Sequence, residues 1–314
     1  MTYGEKIIET LIEKHGKFSI AFLPYKFAMW DSMETVYDAA VAKGLTTFLM
    51  PISYITRGDG LWHNEKELFD KISHKKYADD CTLLYGLKPD IVVIHNPYDG
   101  NNKVTSIDPK FYSNELKAAG FKIVYLAYCG SIFGAQFILH QGVKNADYIF
   151  TASAEERQYY IDLWKIKGID KSENVFDIGG LPKYEAVLKN RPTPECFDRD
   201  PAEIVLICGS LISFLNNPDE RLQKWKDAIR KYADKENVRV IFRPHPLMAD
   251  MISSMMKTYT LKYEAFLSEI EQYCLIDKSQ NFTNAMRFAD YLVTDPSSII
   301  GVWKQTGKDY EIIE

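Results

Sequence analysis

A chain of 314 residues, 46% hydrophobic and 26% charged, has the make-up of an ordinary soluble globular protein and length for roughly two domains. A formal net charge of −5 without a basic stripe excludes a nucleic-acid surface, and the longest apolar runs, such as 91–94 and 204–208, are too short to span a bilayer. The five cysteines (Cys81, Cys129, Cys196, Cys208 and Cys274) lack any CxxC spacing, which argues against disulfide or zinc use.

In chain order, residues 2–15 carry Ile7, Ile8, Leu11 and Ile12 at helical spacing. The acids Glu5, Glu9 and Glu13 exclude a secretory signal there, which points to a cytoplasmic protein. Residues 18–23 read as a strand broken at Pro24. Asp31-Ser32-Met33-Glu34 then opens a helix, with Asp31 as its cap, that stops at Gly44. Residues 47–50 form the next strand. The stretch 53–80, rich in charge and aromatics (Tyr54, Trp62, His63 and Tyr77), reads as irregular or partly helical, as an active-site loop or insertion would be. A buried strand at 90–94 runs into His95-Asn96-Pro97-Tyr98-Asp99-Gly100. After it come a helix at 111–119, strands at 122–126 and 148–150, and a helix from Ser153 to about Lys165. Residues 176–180 close this half. Such alternation predicts a parallel, doubly wound sheet.

The texture changes at 189–203, a Pro-rich, charged, apolar-poor linker. The expected organisation is an N-terminal Rossmann-like domain at 1–188 and a C-terminal one at 204–314, two α/β domains facing a central cleft. Residues 204–208 restart the pattern, followed by Gly209-Ser210 and a helix at 219–234. Strand 238–242 leads into Arg243-Pro244-His245-Pro246. Strand 291–294 leads into Asp295-Pro296-Ser297-Ser298 and an apolar helix, and 310–313 reads as a last short strand.

Ligands of open parallel sheets bind beyond the carboxyl ends of the strands, so these endings are the candidate sites. Arg243 and His245 offer a guanidinium and an imidazole stiffened by two prolines. Ser297 and Ser298 offer hydroxyls at a helix start, where exposed amides suit phosphate. Gly209-Ser210 reads as a second phosphate-facing loop or a plain turn; neither a GxGxxG nor a P-loop is present. In the N-terminal half either Asp31 or His95 can act as general base, unless they merely cap a helix and pin a turn. Tyr25, Trp30, Tyr98 and Asp99 suit a sugar or polyol acceptor. No carboxylate cluster suggests a metal site.

Taken together, residues 21–26, Met29-Trp30-Asp31-Ser32, His95-Asn96-Pro97-Tyr98-Asp99, Gly180-Leu181-Pro182-Lys183, Arg243-Pro244-His245-Pro246 and Asp295-Pro296-Ser297-Ser298 resemble the CDP-glycerol glycerophosphotransferase family, which includes the teichoic acid primases and polymerases. The closest likeness is to a short, stand-alone branch, and it covers nearly the whole chain. The resemblance implies a GT-B fold with the donor nucleotide on the C-terminal domain and the acceptor on the N-terminal one. It also implies transfer of glycerol phosphate from CDP-glycerol to an acceptor hydroxyl of a cell-surface glycan or its precursor, with release of CMP. His245 (also a catalytic candidate), Arg243, Ser297 and Ser298 would hold the donor phosphates, with no cofactor besides that donor. The family's histidine-glycine pair is replaced here by Tyr128-Cys129-Gly130, so the base passes to Asp31 or His95. A GT-B glycosyltransferase using a CMP- or UDP-sugar, and a non-catalytic nucleotide-binding relative, are the competing readings. The acceptor would be a soluble or lipid-linked glycan, with peripheral contact to the inner face of the membrane left open. The basic patch Lys71, His74, Lys75 and Lys76 reads as a solvated face.

Overall fold

The computed structural model describes residues 1–70, 72, 83–129, 137–189, 203–279 and 282–313. The chain divides into two compact units. Unit 1 comprises residues 1–56 and 60–186, and unit 2 comprises residues 57–59 and 187–314. Most of the expected linker, the basic patch at 71–76, Tyr77, Gly130, Cys81 and Cys196 lie outside the described residues.

Unit 1 opens with helix Tyr3–His15. Its start is fixed by a reciprocal cap in which Thr2 Oγ1 accepts from the Glu5 amide and Glu5 Oε2 accepts from the Thr2 amide. The strands follow as β1 (Ser19–Phe22), β2 (Thr46–Leu49), β3 (Tyr54–Thr56), β4 (Trp62–His63), β5 (Ile91–Ile94), β6 (Thr105–Ile107), β7 (Lys122–Tyr125), β8 (Tyr148–Thr151) and β9 (Phe176–Ile178). Six of them form a parallel sheet in the order β2-β1-β5-β7-β8-β9. All four residues of β5 are buried, as a strand covered by helices on both faces requires. The strand order reverses between β1 and β5, so the crevice beyond their carboxyl ends is the topological switch point.

The stretch expected to be irregular or partly helical holds a short helix, Lys66–Asp70, and also contributes β3 and β4 to a small antiparallel sheet, ordered β4-β3-β6. Two- and three-residue strands leave too short a period-two signal to be read from sequence. Ahead of helix Glu34–Ala42 the chain adds a 3₁₀ turn, Phe27–Ser32, and Met33 stands at the N-cap. Asp31 therefore does not cap that helix.

Unit 2 contains β10 (Glu203–Cys208), β11 (Val238–Arg243), β12 (Leu275–Ile276), β13 (Tyr291–Thr294) and β14 (Tyr310–Ile312), all parallel, in the order β12-β11-β10-β13-β14. Its switch point lies between β10 and β13. The amphipathic helix Pro218–Ala233 lays fully buried Trp225 against the sheet, with Phe214 stacked on it at 5.8 Å and Phe242 at 5.7 Å. Truncating such a residue to alanine costs about 3–5 kcal/mol. Both units are doubly wound α/β layers, the architecture of a GT-B fold. Among the described residues no helix is long and apolar enough to cross a membrane.

Candidate functional site

The pairing register of unit 2 aligns Arg243, Cys208 and Thr294 in one row across three neighbouring strands. The segments that follow them, Pro244-His245-Pro246, Gly209-Ser210 and Asp295-Pro296-Ser297-Ser298, therefore leave the sheet side by side at its carboxyl edge. Two bonds tie the strand ends together: the Gly209 amide donates to the Arg243 carbonyl at 3.2 Å and the Thr294 hydroxyl to the Cys208 carbonyl at 3.3 Å.

Asp295 is the hub beneath this edge. Fully buried, it accepts from the Ser210 amide (2.8 Å) and from Trp225 Nε1 (3.0 Å) on Oδ2, and from Arg221 Nη1 (2.7 Å) on Oδ1. Burial raises its pKa, against the pull of the Ser210 amide, the Arg221 charge and the Trp225 bond. Gly209 is demanded by the same packing, because a Cβ there would sit 2.8 Å from the Trp225 ring.

Arg243 has a different task from the one its sequence position suggests. Its side chain is 4% exposed and pairs with Asp277 just past β12, while Nη1 and Nη2 also reach Ser279 Oγ (3.1 Å) and the Ser279 carbonyl (2.9 Å). The guanidinium thus ties the end of β11 to residues 277–279 after β12. Asp277 is a residue sequence reasoning missed, since a two-residue strand gives it no visible context.

What remains near the surface is His245, Ser297 and Ser298, all half-buried. The Leu247 amide donates to His245 Nδ1 at 3.1 Å, which places the proton of the neutral ring on Nε2. Ser298 begins the short helix Ile299–Trp303, but its side chain makes no capping bond. Ser210, 8% exposed, starts helix Leu211–Asn216 and likewise makes no side-chain cap bond.

The carboxyl edge of unit 1 is built differently. His95 is fully buried and spends both ring nitrogens. Ser32 Oγ donates to the Met29 carbonyl (2.7 Å) and so accepts from His95 Nδ1 (3.1 Å), while Nε2 accepts from the Tyr25 amide (3.4 Å). Burial pushes its pKa down to about 3, with the Met29 carbonyl opposing and Lys183 assisting. The ring is a neutral pin for the turn after β1, with no lone pair to offer a substrate.

Asp31 is 6% exposed, and its Oδ2 meets Lys183 Nζ at 2.8 Å. That pair links the 3₁₀ turn after β1 to helix Pro182–Ala186 after β9, a partnership 152 residues apart that no local pattern announces. Trp30 and Tyr25 are packed inward, at 3% and 2% exposure: Trp30 lies edge-on to Tyr37 and Phe69, and Tyr25 edge-on to Tyr54 and His95. Neither ring is presented to an acceptor. Asp99 is 5% exposed and holds the Ser113 amide (3.0 Å) and hydroxyl (2.7 Å). Tyr98 alone of these candidates is half-buried, its hydroxyl 3.1 Å from that of Tyr128. Burial lifts the neighbouring Cys129 thiol to about 11, so it is not a thiolate nucleophile at neutral pH.

No family model and no curated protein matches the sequence. Solved structures do match in fold. The UDP-GlcNAc 2-epimerase of Neisseria meningitidis bound to UDP-GlcNAc is 10% identical with a TM-score of 0.64, over 94% of this chain and 82% of that one. The Methanocaldococcus jannaschii enzyme in complex with UDP-GlcNAc and UDP is 13% identical with a TM-score of 0.61, over 93% and 83%. The wall teichoic acid polymerase TagF soaked with CDPG is 10% identical with a TM-score of 0.53, over 99% and 74%. At such identities these likenesses establish the GT-B fold.

Proposed function

We propose that this chain transfers a polyol phosphate, glycerol phosphate in the first instance, from its CDP-activated form to an acceptor hydroxyl. The observation that carries this reading is the alignment of His245, Ser210 and Ser297-Ser298 beyond one row of strand ends at the switch point of unit 2. The Nε2 proton of His245 and the serine hydroxyls supply donors for a pyrophosphate, and Arg243 acts as a positioning residue beneath them. The wall teichoic acid polymerase among the structural relatives, soaked with CDPG, supports the choice of donor.

In the proposed step the acceptor oxygen attacks the distal phosphorus of the donor. A new P–O bond forms, the P–O bond to CMP breaks, and CMP leaves with the bonding pair. Charge growing on the leaving phosphate is met by His245 and the serines. The proton of the acceptor hydroxyl passes to a general base. Asp31, an acid held in place by Lys183, suits that role better than His95, whose Nε2 lone pair is already occupied.

A second reading, a nucleotide-sugar enzyme working on a UDP-linked substrate, draws support from the higher TM-scores of the epimerases. Incubating the protein with CDP-glycerol and with UDP-GlcNAc, and following CMP and UDP release and sugar epimerisation, separates the two. CMP from CDP-glycerol supports transfer; turnover of UDP-GlcNAc alone moves the assignment to the second reading.

A further inference from the structure

Beyond β5, unit 1 carries a groove of about 480 Å³ lined by Asp99, Gly100, Asn101, Tyr112, Asn114 and Gln141. Its walls are fixed from within. Asp99 takes a left-handed backbone conformation (φ 51°), and the Asn101 amide closes the turn on the Tyr98 carbonyl at 2.9 Å. The Asp99 carboxylate holds the start of helix Ser113–Ala118, and Asn145 Nδ2 reaches Ser113 Oγ at 2.8 Å from helix Gln141–Asn145. The Gly142 amide adds a bond to the Pro97 carbonyl at 2.9 Å. Gly100 is required, because a Cβ there would lie 2.2 Å from the Tyr112 hydroxyl, which meets Ser106 Oγ at 2.9 Å. The groove therefore exists before any ligand arrives, which spares a binding partner the entropy of ordering it.

The lining chemistry narrows the ligand. No lysine, arginine or histidine is among the lining residues, so a phosphate or nucleotide would find no counter-charge. The single ionisable carboxyl, Asp99, has one oxygen on the Ser113 amide and the other on its hydroxyl, so it is spent on the wall. The remaining polar groups are three carboxamides, each both donor and acceptor. Gln141 commits its Nε2 to Asn145 Oδ1 at 2.9 Å and Asn114 its Nδ2 to Glu115 Oε1 at 3.0 Å, which leaves both side-chain oxygens as acceptors for hydroxyl groups. Tyr112 adds a half-buried aromatic ring. Neutral, hydroxyl-rich and partly apolar is the character of a saccharide.

We propose that this groove is a carbohydrate-binding subsite. It lies at the carboxyl edge of the strand next to the one that leads to Asp31, so on the transferase reading above it would hold the sugar portion of the acceptor; saccharide binding itself does not depend on that reading.

The test uses the full chain and two neutral disaccharides, chitobiose and maltose, followed by saturation-transfer NMR and calorimetric titration, with glycerol 2-phosphate as an anionic probe. The proposal expects a disaccharide to bind with Kd on the order of millimolar, unaffected by added salt and not displaced by glycerol 2-phosphate. Asn114→Leu and Gln141→Leu, both at exposed positions, should each weaken that binding about fivefold, the loss of one hydrogen bond. Absence of saccharide binding, equal binding by wild type and both variants, or displacement by the anion overturns it. CDP-glycerol titration of the wild-type chain is the separate arm: its failure counts against the transferase reading and leaves the saccharide result standing.

Discussion

The carboxyl edges of the two sheets carry a similar inventory of acids, bases and hydroxyls but use it in different ways. In unit 2 the buried charges, Arg243 with Asp277 and Asp295 with Arg221, form a foundation, and His245, Ser297 and Ser298 stand half-exposed above it. In unit 1 most of the candidates are themselves the foundation: His95 and Asp99 are buried and bonded inward, and the Tyr25 and Trp30 rings are packed among other aromatics. A strand-end polar residue is thus as often a brace as a contact, and burial together with committed bonds tells the two apart.

The most severe way to break the unit 2 foundation is Asp295→Ala. It strands the Arg221 charge, Trp225 Nε1 and the Ser210 amide in a buried site, at a cost of about 3–5 kcal/mol. Urea unfolding followed by Trp fluorescence should show the midpoint falling sharply; an unchanged midpoint would remove Asp295 from the foundation.

In unit 1 the comparison is sharpened by pH. Unfolded, His95 protonates near its ordinary 6.5; folded, it stays neutral down to about 3. The stability it allows is therefore complete above pH 6.5 and is lost at about 1.4 kcal/mol per pH unit as pH falls from 6.5 towards 3. His95→Gln should flatten that dependence in calorimetric melts between pH 7 and 5, even if its stability at neutral pH is lower. A slope that the substitution leaves untouched would show that His95 is not held neutral.

Gly209→Ala tests the tight approach of the Gly209-Ser210 loop to Trp225. A methyl 2.8 Å from an indole packed on both sides should cost about 1–3 kcal/mol and lower the Tm of unit 2. The smallest effect belongs to the exposed side of unit 1: Tyr98→Phe removes one hydroxyl contact with Tyr128, worth about 1 kcal/mol or less in stability. Should the transferase reading hold, its larger effect will be on acceptor KM.

The long strands and their endings were legible in the sequence because parallel strands covered on both faces read as apolar runs, as at 91–94 and 204–208. Of the short strands, β14 was read at 310–313, but β3, β4, β6 and β12, with two or three residues each, were not, being below the length at which a period appears. The candidate residues were legible as chemistry but not as geometry. Nothing around Arg243 foretells Asp277, and nothing around Asp31 foretells Lys183, because both partnerships join segments distant in sequence. Asp31 reads as a cap from its neighbours, and only the intervening 3₁₀ turn moves it off the helix start.

On the proposed function, the groups at the edge of unit 2, unlike the braces beneath them, act on a nucleotide-linked phosphate. His245→Ala tests it most directly. His245 is half-buried at the sheet edge and outside the core, so the protein should remain folded by calorimetry. CMP release from CDP-glycerol in the presence of an acceptor should fall by orders of magnitude. A folded variant that releases CMP as fast as the parent protein would contradict the account.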